Sequence, residues 1–392
     1  VRLTFSLLLL AFLGVVVWDA GSSRAQTTQP ADKRAERKTN LADALTPAEW
    51  ARVDESVDRA LAWLATHQEP DGSFPSVDEG QPAITSLGVM AFLSAGHQPG
   101  QGPYGEKINR AIDFVLGCQH SDGLFCLQMP QRTHVHQGAS HTGTYNHAIA
   151  GLMLCEVYGQ VSPERTAKIQ VAVNEALKYT ERFQKVPAKI DARDVGGWRY
   201  IVPSGNSSSD LSVTGWYLMF LRSAKNAQFE IPDAEIKDAL KYVQGMYQRD
   251  RNEFFYGHIG ANDRYTNRGM MGVGALSLSL AGEHNTDMAR HAGEYILARP
   301  FDVYGATFTQ WDRFHYSAYY CSNAMAQLGG DYWKEFFPIL VKTLLDNQAP
   351  DGSWLTESGG NAGDRKYGPA YPTALSVLTL TPAYQLLPIY QR

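Results

Sequence analysis

Four aspartates, Asp194, Asp210, Asp302 and Asp312, are the carboxylates that could work in pairs. Glycoside hydrolysis needs one carboxyl to protonate the leaving oxygen and a second to act as base or nucleophile, at separations that a sequence does not give. Asp210 also reads as a helix N-cap, and Asp191 with Asp194 as turn residues ahead of Gly196 and Gly197. Histidine offers a second chemistry, because His134, His136, His141 and His147 fall close together and clustered imidazoles bind zinc or copper. They lack the spacing of a preformed helix or strand site, so the first three read as loop histidines and neither metal nor other cofactor is expected. A third pattern is polar and aromatic. Tyr145 and His147, Asp210 and Trp216, Arg268, His315 with Tyr316, and Tyr371 each open a stretch rich in small apolar residues. Together they suit the rim of an apolar cavity, and Trp198, His258 and Trp311 complete the candidate ligand-binding set.

The elements that must position these residues announce themselves by repetition. Gln68-Glu69-Pro70-Asp71-Gly72-Ser73-Phe74, Gln119-His120-Ser121-Asp122-Gly123-Leu124-Phe125 and Gln348-Ala349-Pro350-Asp351-Gly352-Ser353-Trp354 are one motif, each after an amphipathic run. The Gly can take the left-handed conformation that closes a helix, and the Gln amide can satisfy helix-end groups, so each copy reads as a helix-to-helix corner. Hydrophobic periodicity predicts helices in pairs: 53–67 with 84–95, 107–118 with 144–158, 168–183 with 210–225, 234–247 with 268–281, 286–298 with 315–328, and 333–347 with 371–386. The first member of each pair carries charge and the second is small and apolar, as an outer and an inner layer require. Corners three to five are expanded or degenerate: Gly196-Gly197-Trp198-Arg199-Tyr200 stands far beyond Gln184, and the fifth corner is reduced to Arg299-Pro300-Phe301. Insertions at fixed places in a repeat array gather on one functional rim.

The corner motif resembles the QW repeat of squalene cyclases and the related repeats of protein prenyltransferase β subunits, over nearly everything after about residue 50. The resemblance implies an all-α fold, an α/α toroid of six helical hairpins in two concentric layers. It also implies that the inner-helix starts surround the mouth of a central cavity. The periodicity alone fits an open solenoid equally well. The standard catalytic motifs of that superfamily are incomplete here. Asp210-Leu211-Ser212 resembles the zinc-binding Asp-x-Cys of the prenyltransferases but has Ser212 for the thiolate, and Tyr371-Pro372-Thr373 offers no histidine. Against the Asp-x-Asp-Asp acid of the cyclases stands Asp191-Ala192-Arg193-Asp194, one acid short and with a guanidinium that favours ionisation.

Composition and the N-terminus bound the setting. The 392 residues include 8 Trp, 20 Tyr and 16 Phe, and the net charge of −5 comes without a basic stripe, so nucleic acid is not an expected partner. An apolar run from Phe5 to Val17 before Ser23-Arg24-Ala25 reads as a signal peptide over residues 1–25, with a polar linker over 26–47 and the toroid over 48–392. Export to the periplasm or beyond is the expectation. Cys118 and Cys126 flank one corner and either bridge it or stand as two buried thiols. The sequence leaves three functions open: binding of an apolar or extended ligand in the cavity, an enzyme that is cyclase-like with Asp194 as acid or acts on polysaccharide through rim carboxylates, or an envelope scaffold. The expected ligand is a lipid, isoprenoid or polysaccharide, or else an envelope protein.

Overall fold

A computed structural model describes residues 40–130, 138–185, 189–202, 207–258, 263–309, 311–356 and 362–391. Among these described residues, twelve α-helices form six consecutive pairs. They are α1 (Pro47–Thr66) with α2 (Ala83–Ser94), α3 (Gly105–Gly117) with α4 (Gly138–Val157), and α5 (Pro163–Lys185) with α6 (Leu211–Asn226). Then follow α7 (Asp233–Gly245) with α8 (Arg268–Leu280), α9 (Asp287–Leu297) with α10 (Phe314–Leu328), and α11 (Gly330–Asp346) with α12 (Ala370–Leu380). The first of each pair buries a single stripe, as α1 does with Val53, Val57, Ala60, Leu61 and Leu64. The second is wrapped by protein on all sides: every residue of α2 and of α8 is buried. A helix enclosed that way must be small and apolar all round, which is why its sequence lacks a polar face.

The inner helices pack in the order α2, α4, α6, α8, α10, α12, and α12 returns to α2. That last contact closes the ring and rules out an open solenoid. The chain is an all-α toroid of six hairpins in two layers.

The corners hold the layers together. Gln68 Nε2 donates to Gly72 O and, across the joint, to Lys107 O on the next outer helix, at 2.9 and 2.8 Å. Gln119 does the same with Gly123 and Ala172, Gln184 with Gly196 and Glu235, and Gln348 with Gly352 and Ser56. The third corner is therefore a complete copy of the motif around a longer insertion. At the fourth, Asn252 takes the left-handed position of the glycine (φ +57°) ahead of Phe254, within a two-stranded hairpin of β1 (Tyr247–Gln248) and β2 (Glu253–Phe254). Asparagine is among the few residues that tolerate that conformation.

Three expectations change. α4 begins at Gly138, so His141 is helical and not in a loop, while His134 and His136 lie outside the described residues. α12 ends at Leu380, because Pro382 has no amide proton to continue the ladder. Residues 40–46, expected as linker, belong to the fold: Leu41 and Leu45 are buried, and Leu41 O accepts from Trp333 Nε1 at 2.8 Å. All four cysteines are free and buried, so the bridge between Cys118 and Cys126 is not made; burial pushes both of these thiols up to about 12.

Candidate functional site

The inner helices start at one end of the ring, and there tyrosines converge. Tyr145 OH and Ser212 Oγ are 2.9 Å apart, and Ser212 Oγ and Tyr316 OH 2.7 Å. These groups belong to α4, α6 and α10, and α8 stands between α6 and α10 in the ring, so the hydroxyl chain crosses the central channel. Below it the channel is filled. Trp216 stacks on Tyr319 with centroids 5.4 Å apart and planes 7° apart, and Tyr319 OH meets Tyr390 OH, from the C-terminal segment at the far end, at 2.6 Å. Among the described residues, these hydroxyls form a floor at the mouth with packed aromatic side chains beneath it.

Beside this floor runs an aromatic arc. Trp311, 42% exposed, leans on Tyr265 (5.8 Å), Tyr265 stacks on Tyr256 (5.0 Å), and Tyr200 stacks on His141 (3.8 Å). A hydrogen-bonded relay joins this arc to the buried carboxylate. Tyr256 OH donates to Asp210 Oδ2 at 3.0 Å, and since its one proton is used there, Tyr200 OH donates to Tyr256 OH at 2.7 Å. The other Asp210 oxygen caps α6 by accepting from Val213 N at 2.7 Å. Burial raises the Asp210 carboxyl to about 6 against the opposing pull of Arg199 and these hydrogen bonds. Burial and the Asp210 charge push the Tyr200 phenol up to about 12, so it stays protonated at neutral pH. Tyr200 is only half-buried, and it is the end of the relay that a ligand can reach.

Three ion pairs join charged groups of the rim. Arg199 lies 3.2 Å from Asp263 and over the rings of Tyr200 and Tyr256; Arg313 pairs with Asp364, and Lys366 with Glu79. Each pair joins residues from different corners, so it ties the rim together as well as neutralising it.

Of the residues singled out by sequence, Tyr145, Asp210 and Trp311 come together here, and Tyr371 stands by them, its ring 5.9 Å from that of Tyr367. The others do not. His147 is fully buried, with Nδ1 accepting from Phe125 N at 3.2 Å and Nε2 on Thr180 Oγ1 at 2.9 Å; burial drops it to about 3, so it is neutral. Trp198 is the buried aromatic of the third corner, stacked on Tyr217, and Trp216 lies under the floor. Arg268 and Asp312 form a buried pair at 2.8 Å, and Arg268 also donates to Pro300 O and Ala306 O. Both acceptors lie in the fifth corner, which lacks the Gln and Gly of the others, so the guanidinium ties that corner to α8. His315 is buried against Tyr304 OH at 3.0 Å. Asp302 is exposed on that corner, and His258 sits edge-on to Tyr242 away from the arc. Asp194 is buried, with Oδ2 accepting from Ser208 N at 2.7 Å and Oδ1 without a partner. Asp191 is tied to Arg193, whose guanidinium holds its carboxyl far below the usual range.

Sequence reasoning missed Tyr200, Tyr256, Tyr265, Arg199 and Arg313 as site residues. Tyr200 and Tyr256 stand two places after the corner aromatics Trp198 and Phe254, whereas the matching places elsewhere hold Ser76, Leu127 and Thr356. In extended chain that offset returns a side chain to the same face, so an aromatic there was the available signal.

Solved structures share this architecture. An inactive variant of the alpha-1,6-mannanase of Salegentibacter sp. HEL1_6, in complex with alpha-1,6-mannotriose, aligns with a TM-score of 0.58 at 14% identity, covering 86% of this chain and 99% of that one. A glycosidase variant aligns at 0.56 and 14% identity, covering 88% and 100%. A type II terpene cyclase from Scytonema, in complex with its product merosterolic acid A, aligns at 0.53 and 15% identity, again covering 88% and 100%. At these identities the likeness is one of fold. No protein-family model matches the chain, and neither does any curated protein.

Proposed function

We propose that the mouth of the toroid binds an uncharged, polyhydroxylated chain, an oligosaccharide or polysaccharide, and acts on it by proton transfer through Tyr200. The observation that carries this reading is the floor of hydroxyls from Tyr145, Ser212 and Tyr316 beside an aromatic arc. Sugar rings present apolar faces that stack on aromatic rings and hydroxyl edges that exchange hydrogen bonds, and the arc and the floor offer both. The cations nearest the floor, Arg199 and Arg313, are each paired with an aspartate, which favours a neutral ligand there. Toroids of similar fold hold mannotriose in one case and a terpenoid product in the other, so fold alone supports either class.

The filled channel disfavours the terpenoid class. A polyene needs a deep apolar shaft, and Trp216, Tyr319 and Tyr390 occupy that space. Asp194, the acid that a cyclase-like mechanism would use, is buried with its own carbonyl accepting from Ser209 Oγ. The corner repeats support kinship with the squalene cyclase and prenyltransferase repeats, but the sugar reading replaces a chemistry-free cavity as the use of this mouth. A signal peptide over residues 1–25 would bring the chain to extracellular polysaccharide. In the proposed chemistry Tyr200 turns its proton from Tyr256 OH to the ligand oxygen; Tyr256 and Asp210 hold the phenol in line beforehand, and the Arg199 guanidinium over its ring offsets the negative charge left behind.

The test is a binding screen of the purified protein against neutral and anionic glycans by affinity electrophoresis, followed by assay of new reducing or unsaturated ends. Retention on a neutral glycan, with new ends that Tyr200→Phe no longer generates at the wild-type rate, supports the proposal. A co-purifying isoprenoid with no glycan bound would sink it.

A further inference from the structure

A second recess opens on the outer wall, away from the mouth, where α5 and α7 diverge. It has a volume of about 430 Å³, and its lining includes Glu175, Glu181, Glu230 and Glu235 together with Val171, Ile231 and Pro232. Acidic residues alone would be a solvated surface. Glu235 is different, being 3% exposed with its Oε1 lacking any hydrogen-bond partner. A buried carboxylate oxygen is left without a donor only at a cost, so a bare one facing a recess marks a place where a donor from outside fits. Glu175 is paired with Lys178, a cation of the lining, at 2.7 Å, and Glu181 with Lys185 at 2.6 Å, whose charge also acts on Glu235 without a hydrogen bond to it; Glu230 is exposed at the rim. Apolar surface from Val171, which is 65% exposed, and from Ile231 and Pro232 flanks the approach.

We infer that this recess binds a primary ammonium or guanidinium group carried on an aliphatic stem, with the cation on Glu235 and the methylenes against Val171, Ile231 and Pro232. Among the described residues no three His, Cys, Asp or Glu side chains gather as a metal would require, so the chemistry that fits is an organic cation. Lysine and arginine side chains have this form, a charged head on a stem that packs on apolar surface. A free polyamine has it too. The carbohydrate reading of the mouth is independent of this site.

Burial raises the Glu235 carboxyl to about 7, so titration calorimetry of the full chain at low salt and pH 8.5, where it is ionised, distinguishes the sources. The probes are spermidine and an acetylated, amidated Gly-Lys-Gly-Lys-Gly peptide. Binding of spermidine assigns the recess to small polyamines; binding of the peptide alone assigns it to a lysine of a protein partner. In either case Glu235→Gln should weaken binding at least tenfold, and Glu230→Gln, which is exposed and leaves the fold untouched, several-fold. If neither probe binds at millimolar concentration, or both variants bind as the wild type does, the inference is overturned.

Discussion

His147 Nδ1 lies 3.2 Å from the Phe125 amide nitrogen, in the place that a threonine hydroxyl takes at three other corners. Thr85 receives Phe74 N at 3.0 Å, Thr214 receives Trp198 N at 3.1 Å, and Thr373 receives Trp354 N at 3.0 Å. At the fourth corner the sulfur of Met271 receives Phe254 N at 3.1 Å. The slot requires an acceptor for one buried amide, and three kinds of side chain supply it. An imidazole can do so only while Nδ1 is unprotonated, which is why its burial in a neutral form matters to the whole corner.

That requirement gives an acid limb to stability. The folded-state value near 3 lies below the ordinary 6.5, so the unfolded chain takes up the proton first as pH falls. Stability from this group is complete above pH 6.5 and is lost progressively between 6.5 and about 3, by about 5 kcal/mol in the limit. His147→Thr should fold with a lower melting temperature at pH 7, from the cavity left beside Phe125 and Thr180, and show a flatter acid limb. Thermal melts of both proteins from pH 7 to pH 4 check this; parallel curves would remove His147 from the account.

The corner repeats and the paired helices were legible because they rest on local chemistry: glycine or asparagine at a left-handed turn, a Gln amide, and a periodicity that differs between layers. Asn252 escaped notice because it performs the role of glycine without its name. The site was less legible, and His147 shows why. A histidine at the start of an inner helix looks the same in sequence whether it faces the mouth or the wall. Its partners Phe125 and Thr180 lie on other elements, and ring closure decides which way it points. Tyr200 and Tyr256 have the reverse history, since two tyrosines in separate corners become a relay only when the ring brings them within 2.7 Å.

Glu156 sets a limb of opposite sign. It is buried near the C-terminal end of α4, where Oε1 accepts from Ser223 Oγ at 2.5 Å and Oε2 from Ile389 N at 3.2 Å. Burial raises it from 4.5 to about 7. The unfolded chain therefore loses its proton first, so stability is complete below pH 4.5 and falls as pH rises to about 7, by about 3 kcal/mol. Glu156→Gln should be more stable than the wild type at pH 8 and no more stable at pH 4. Asp210 and Glu235 add to the same limb, so urea midpoints of variant and wild type at the two pH values isolate Glu156. An equal offset at both would contradict it.

Closure of the ring passes through Gly352. Its φ is +95°, and a Cβ there would stand 2.5 Å from Arg59 O on α1. Gly159 shares the left-handed conformation (φ +81°) but has nothing within 4 Å. Gly159→Ala should cost about 1 kcal/mol, from backbone strain alone. Gly352→Ala should cost about 3 kcal/mol or more, because the last corner can no longer seat on the first outer helix. Denaturant midpoints compare the two directly, and similar losses would show that the seating contributes little.

The Asp210, Tyr256 and Tyr200 relay separates capping from chemistry. Asp210→Ala removes the acceptor for Val213 N and strands the Tyr256 hydroxyl, so it should lower stability by about 1–2 kcal/mol as well as impair the site. Asp210→Asn keeps an oxygen for the cap, yet it has no negative charge to hold the Tyr256 proton. It should melt close to the wild type while losing turnover on the glycan that the binding screen identifies. Tyr200→Phe deletes only the half-buried end of the relay, and should lower turnover about 100-fold with a stability change within about 1 kcal/mol. The pH profile provides the sign. The Asp210 carboxyl ionises near 6, and its charge orients both phenols, so wild-type activity should rise with pH through that value and the rise should vanish in Asp210→Asn. Full turnover and unchanged affinity in Tyr200→Phe would leave Asp210 as a helix cap and nothing more.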